Sequence, residues 1–374
     1  MKQRLLALDV LRGLTIGGMI LVNSPGTWSY VYPPLLHSSW NGLTMADVIY
    51  PLFMFMMGMS MYISMKKFSF TLDKALFLKI IRRTFLIFII GTFIYGTATF
   101  LGTLREASLQ PDFVGSPWKA AFASLAHVRI LGVLQRLALC YGIGSLLVTT
   151  VRHRYIPYLV AVILIVYYGI LLVGNGFVYG PENILSHVDK SVLGLSHMYN
   201  DRGIDPEGVL STIPSIAQVL IGFWFGKICM ETPDMKDKLN RLFLYGAMGL
   251  IAGFLLQDVC PLNKKVWSPT FVLVTCGLAA MLQSVLIYFI DMKEKKNWCR
   301  FFEIFGVNPL FLYVLSEVAA IVIGATGSKP VIYEGVHFLI TDPYLASAVY
   351  ALAFTLLMGA CGYPLYKKKI YIKI

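Results

Sequence analysis

The sequence predicts an all-α, polytopic membrane bundle of about ten transmembrane helices. Three observations point there. Of 374 residues, 57% are hydrophobic and only 14% charged, against roughly 25% charged in an ordinary soluble domain, and the mean hydropathy is +0.68. Ten apolar segments, each near the ~20 residues that span a bilayer, follow one another between polar or Pro/Gly-rich joints. Stretches such as LFMFMMGMSMYISM and YLVAVILIVYYGILLV are continuously apolar, whereas the strands of a membrane barrel alternate with period two. A water-soluble enzyme is excluded, and the lipid bilayer is the first partner.

The first segment, about 5–23, has the basic start and apolar run of a signal peptide. Asp9 and Arg12 interrupt the run and no small-residue cleavage site follows, so it reads as a retained helix. The second, about 45–65, follows the turn signal Asn41-Gly42. Thr44 stands in capping position, and Asp47 in the first turn suits the helix dipole. The remaining eight lie at about 76–101, 127–150, 155–174, 209–229, 241–257, 268–290, 301–323 and 345–366, with two longer polar loops at about 102–126 and 175–208. No soluble domain, low-complexity tract or repeat is visible, so residues 1–374 read as one transmembrane domain. The six cysteines form no CxxC pair and read as small core residues, implying neither a disulfide framework nor a metal site.

A formal charge of +12 raises the question of nucleic acid, and its placement answers it. Counted over alternate loops, twenty-two Lys and Arg share the side of both termini and eight lie on the other. That is the positive-inside bias, so both termini are expected in the cytoplasm and no nucleic-acid partner is expected. The same cations could draw in an anionic cosubstrate.

Charges inside a membrane helix are by default functional or paired. Asp9 and Arg12, three apart, are expected to neutralise each other. Asp47, Gln135, Arg136, Gln218, Asn308 and Glu317 are the other polar intrusions, and Arg136 and Glu317, near the middle of their helices, could pair with each other or meet a ligand. The densest polar and aromatic stretch runs from Asn23 to Asp47 without a Lys or Arg, on the outer side by the charge count. His37 within it has the side chain best suited to proton transfer near neutral pH, and Asp47 could fold back to orient it. Three outer stretches add groups that a carbohydrate would meet: Asp205 and Glu207 in DRGIDPEG, Lys264 and Trp267 in PLNKKVWSPTF, and the loop 175–208 with His187 and His197. Carboxylates and amides such as Asn41 bond hydroxyls or an amine, and Trp28, Trp40 or Trp267 could lie against a sugar face. An interfacial aromatic belt explains the same tryptophans.

These residues carry a resemblance. RLLALDVLRGLTIGGMILVNSPG and VYPPLLHSSWNGLTMADVIYPLFMFMMGMS resemble the heparan-alpha-glucosaminide N-acetyltransferase family, and RILGVLQRLALCY, IDPEGVLSTIPSIAQVLIGFWFGKI, LNKKVWSPTFVLVTCG and GVNPLFLYVLSEV continue it in order. The chain looks like the transmembrane core of a bacterial form in the cytoplasmic membrane, without the large domain that precedes it in the animal enzymes. The resemblance implies transfer of acetyl from cytoplasmic acetyl-CoA to the amine of a glucosamine-type sugar across the membrane. It places His37 of HSSWNG as the active-site histidine, Asp47 as its acidic partner and Asn23 near the site. Trp40, Asn41, Asp205, Glu207, Lys264 and Trp267 are then the candidates for the acceptor sugar. Arg12, Gln135, Arg136 and Asn308 are those for the coenzyme, whose pantetheine arm would reach His37 through a tunnel. His37 acts as general base or as acetyl-carrying nucleophile, with Asn23 or Asn41 serving the oxyanion. Two other readings use the same residues: O-acetylation of a cell-envelope polysaccharide, and a proton-coupled sugar carrier built on Arg136, Glu317, Asn308 and Asp9. Gly58 and Ser60 suit close helix packing, which makes a homodimer a candidate assembly.

Overall fold

The computed structural model describes residues 6–372, so Lys2, Arg4 and Lys373, which enter the charge count, lie outside the described residues. Fourteen α-helices follow in order: α1 (Leu6–Asn23), α2 (Met45–Met65), α3 (Lys74–Leu109), α4 (Pro117–Ser124), α5 (Val133–Thr150), α6 (Ile156–Val173) and α7 (Ile184–Leu193). Then come α8 (Thr212–Glu231), α9 (Met235–Leu255), α10 (Pro269–Ile287), α11 (Cys299–Val307), α12 (Pro309–Ala325), α13 (Ser328–Leu339) and α14 (Pro343–Lys367). Among the described residues the only β-type pairing is an isolated bridge between Asp201 and Ile204.

All ten apolar segments are helical, but eight helices are long and apolar enough to cross a membrane, or nine if α11 and α12 count as one broken span. The chain bends by 80° between those two, where Pro309 cannot continue the ladder of α11. The expected span that falls short is α9, whose first turns carry Lys236, Asp237, Lys238 and Arg241. It still lies close along α10, because Gly246 and Gly277 let the two backbones touch. The loops hold structure that apolar runs do not announce, namely α4, α7 and α13. Helix α3 runs 36 residues from the Asp73 cap, which accepts from the Leu76 amide at 2.7 Å. At 1.5 Å per residue it is about 54 Å long, so its polar last turns extend beyond an apolar slab of about 30 Å.

The close helix crossings rest on glycine. A Cβ added at Gly58 or Gly222 would collide with the Val219 or Phe55 carbonyl, which is how α2 and α8 come into backbone contact. Gly13 and Gly306 do the same for α1 and α11. The small residues that suggested self-association are therefore used inside the chain, with Gly58 against α8 and Ser60 accepting from Arg12 at 2.7 Å.

Successive long helices run in alternate directions and give the bundle two distinct ends. At one, the loop end, segment 24–44 meets segment 256–268 through Gly42 N to Leu262 O at 2.8 Å, and meets loop 174–211 through Trp40 Nε1 to Phe177 O at 2.9 Å. The other, the basic end, gathers the start of α1, the turn after α2, α11 and the tail after α14. There Asn308 fastens the tail with two bonds of 2.8 Å, from its Nδ2 to the Ile370 carbonyl and from the Ile372 amide to its Oδ1.

Candidate active site

The site is built around the start of α2. Asp47 is fully buried and its two oxygens do different work. Oδ2 accepts from the Ser38 amide (3.0 Å), the Thr44 amide (3.2 Å) and the Thr44 hydroxyl (3.0 Å), so it closes the helix cap and the turn before it. Oδ1 faces His37 Nδ1 at 2.8 Å. A carboxylate only accepts, so Nδ1 holds the proton and the free lone pair of the neutral ring is on Nε2. His37 is 45% exposed, half in the loop-end opening and half against its partners.

Lys264 reaches the same spot from the other loop. Its Nζ lies 3.0 Å from His37 Nδ1, 3.3 Å from Nε2 and 3.5 Å from Asp47 Oδ1. Burial pushes the Lys264 ammonium below its usual value, against the pull of Asp47 and Glu207. Glu207, Asn23, His37 and Lys264 all line a cavity of about 100 Å³. Burial favours the neutral form of Glu207, but Arg129 and Arg136 overcome it and hold the carboxyl below its usual range. Arg129 bonds Glu207 at 2.7 Å and also Asp205. Asp205 accepts from the Tyr199 and Glu207 amides and so shapes the turn that presents Glu207.

Not every expected residue reaches this cavity. Trp267 is fully buried, donates to Gln218 Oε1 at 3.0 Å and packs edge-on to Tyr50 under the Arg136 guanidinium, so no face is free for a sugar. Trp40 stacks on Tyr179, and Asn41 accepts from Asn263 Nδ2 at 3.1 Å, latching the two loops. Arg136 and Glu317 do not pair with each other. Arg136 turns to the Pro206 carbonyl at 2.8 Å and to the Ser211 hydroxyl, pinning the turn before α8. Glu317 instead hydrogen-bonds Asn23 and Tyr313. Gln135 is fully buried in the first turn of α5, toward the loop end. Asn308 has its amide engaged by the tail, and Arg12 pairs with Asp9 at 3.0 Å as expected.

At the basic end lies a cavity of about 460 Å³ lined by Arg12, Lys67, Lys79 and Arg83, with Asn308 and Ile372 at its edge. The sequence offered the lysines and arginines after α2 as orientation signals and, as a group, as an attraction for an anionic cosubstrate. Between this cavity and the small one at His37 sits a third of about 10 Å³, room for about one water. It shares Phe53, Leu137 and Leu310 with the basic cavity, and Met19, Tyr50 and Val133 with the His37 cavity. The three therefore form a row through the bundle with an apolar throat.

Asp189 on α7 supports the turn before α8 by accepting from the Val209 amide at 2.8 Å. Burial raises its carboxyl from 3.8 to about 6. A raised folded-state value means that the fold binds this proton more tightly than the unfolded chain does, so the stability it adds is full below about pH 4 and lost as pH rises through about 6. Asp189→Asn should remove that slope: thermal melts of the two chains should differ little at pH 4, with the variant higher at pH 8. Equal melting at both pH values would refute this.

Residues 4–254 match the profile of the heparan-alpha-glucosaminide N-acetyltransferase catalytic family. The chain belongs to this family. It is also 28% identical to heparan-alpha-glucosaminide N-acetyltransferase of Mus musculus, over 99% of this chain and 60% of the relative, and 28% identical to that of Homo sapiens, over 84% and 53%. It thus spans little more than half the length of these relatives. The part matching the heparan-alpha-glucosaminide N-acetyltransferase profile contains His37, Asp47, Asn23, Arg129 and Glu207, while Lys264 lies beyond it.

Proposed function

We propose that this chain transfers acetyl from acetyl-CoA to the amine of a glucosamine-type sugar, with His37 Nε2 as the base. The observation that carries this reading is the row of three cavities, which joins a basic mouth to the imidazole. The donor's phosphates would lie among Arg12, Lys67, Lys79 and Arg83. Its narrow arm would part the apolar throat and bring the thioester to the His37 cavity. The basic end is then cytoplasmic, as the charge bias implies, and His37 opens to the far side of the bacterial cytoplasmic membrane.

At the reacting centre Asp47 holds the imidazole with Nε2 outward and favours the imidazolium once it forms. Glu207, kept ionised by Arg129, offers the counter-charge for an approaching sugar ammonium. Asn23 lines the same cavity and can donate from its amide to the thioester oxygen. Lys264 covers Nε2 at 3.3 Å, which leaves room for a proton there more readily than for an acetyl group. Direct attack by the amine is therefore favoured over an acetyl-imidazole.

The test is purified protein with acetyl-CoA and glucosamine, followed by free coenzyme A and N-acetyl product. Product only with hydroxyl acceptors would make it an O-acetyltransferase, and sugar uptake into proteoliposomes without coenzyme A release would make it a carrier. Labelled acetyl trapped on the protein without acceptor would overturn the direct route. Glu207→Gln should raise the KM for glucosamine about tenfold or more, the loss of one charge-assisted hydrogen bond, while the KM for acetyl-CoA stays put. Equal effects on both would remove Glu207 from the acceptor site.

A further inference from the structure

Lys264 is poorly suited to the role of sugar ligand. An amino sugar reaches the cavity as a cation, and a second cation beside it repels it; Glu207 is the complementary group. The reaction also has an unmet need. When the thioester C–S bond breaks, the sulfur leaves as a thiolate inside a half-buried cavity, and the base His37 is already accepting a proton. Among the groups that line the His37 cavity, Lys264 is the ammonium, with its Nζ within 3.5 Å of both His37 and Asp47.

We propose that Lys264 is the general acid of the transfer, the group that protonates the coenzyme A sulfur as it departs. The proposal rests on the acetyl-CoA reading above. The sugar ammonium first gives one proton to the water that reaches the half-exposed His37; the neutral amine then forms its bond to the acetyl carbon, and the C–S electron pair stays on sulfur, which takes a proton from Lys264. The nitrogen's own proton goes to His37 Nε2. That proton then crosses the 3.3 Å from Nε2 to the now neutral Lys264 amine. Amide and free thiol are released with both residues back in their starting states. Burial lowers the Lys264 ammonium from its usual value, which makes it a readier proton donor. Asp47 and Glu207 keep it charged until the sulfur arrives.

The test uses the full chain with Lys264→Met and Lys264→Arg, glucosamine as acceptor, and two donors. One is acetyl-CoA; the other is an acetyl aryl thioester, whose thiolate leaves without needing a proton. Arginine keeps the charge and the contact with Asp47 but does not give up a proton near neutral pH. Both variants should lose about 100-fold or more in kcat with acetyl-CoA, the usual scale of general acid catalysis, and within about tenfold with the aryl thioester. Near wild-type turnover of acetyl-CoA by Lys264→Arg would overturn the acid role in favour of charge alone. Equal losses on both donors would overturn it in favour of a structural one. If the wild-type chain releases no coenzyme A with any amine, the transferase reading falls and this proposal with it, a result distinct from either of the others.

Discussion

His37→Ala should abolish acetyl transfer, by about 10²–10⁴-fold, while leaving the fold and coenzyme A binding in place. The expectation follows from where the ring sits. It is 45% exposed and, among the described residues, its side chain bonds Asp47 through Nδ1 and Lys264 through Nε2, so its removal opens no core cavity. Asp47 Oδ2 keeps its three bonds to Ser38 and Thr44, and the start of α2 stays capped. The measurement is a free-thiol assay of turnover alongside a thermal melt with and without coenzyme A. Normal turnover by the variant would move the site elsewhere. A collapsed melt would show instead that the ring is structural.

Blocking the throat should be nearly as damaging, without touching a polar group. Leu137 is 4% exposed and stands where the basic cavity meets the small central one. Leu137→Trp places an indole across a passage that now holds about 10 Å³. Turnover of acetyl-CoA should fall about 100-fold or more, since a near-attack geometry lost is worth that much, while the nucleotide end still binds at the basic mouth. Overpacking a core typically costs about 1–3 kcal/mol, so Leu310→Trp, made on the facing helix, serves as a second variant. Full turnover in a folded throat variant would mean that the thioester reaches His37 by another way.

The fold was legible in the sequence to the extent that apolar length carries it. Every long apolar run is a helix, and the Thr44–Asp47 cap was readable from residue types alone. The limits are physical. Helix α9 was read as a span from its apolar run, but it begins six residues earlier in charged turns and is held by glycine-mediated contact with α10. The short helices α4, α7 and α13 owe their positions to loops. At the site, His37 and Asp47 come from one local segment, so their meeting could be anticipated. Lys264 is 227 residues from His37, and only the docking of two loops brings them together. Arg136 does not meet Glu317 because its Nη2 turns to the Pro206 and Gly208 carbonyls and the Ser211 hydroxyl of the 206–211 turn. Arg129, counted by charge only as one of the eight on the outer side, turns out to be the anchor that aims Glu207.

The divided duty of Asp47 has a practical consequence. One oxygen holds the first turn of α2 shut and the other sets the bearing of the imidazole, so the cap and the reactive ring share a single carboxylate. Anything that frays that turn, whether a harsh detergent, mild heating or loss of lateral pressure on α2, misaims His37 while the glycine-packed centre of the bundle is still intact. Activity should therefore fade before helicity does, and the speed of that fading gives a sensitive gauge of how well a preparation preserves the native loop end.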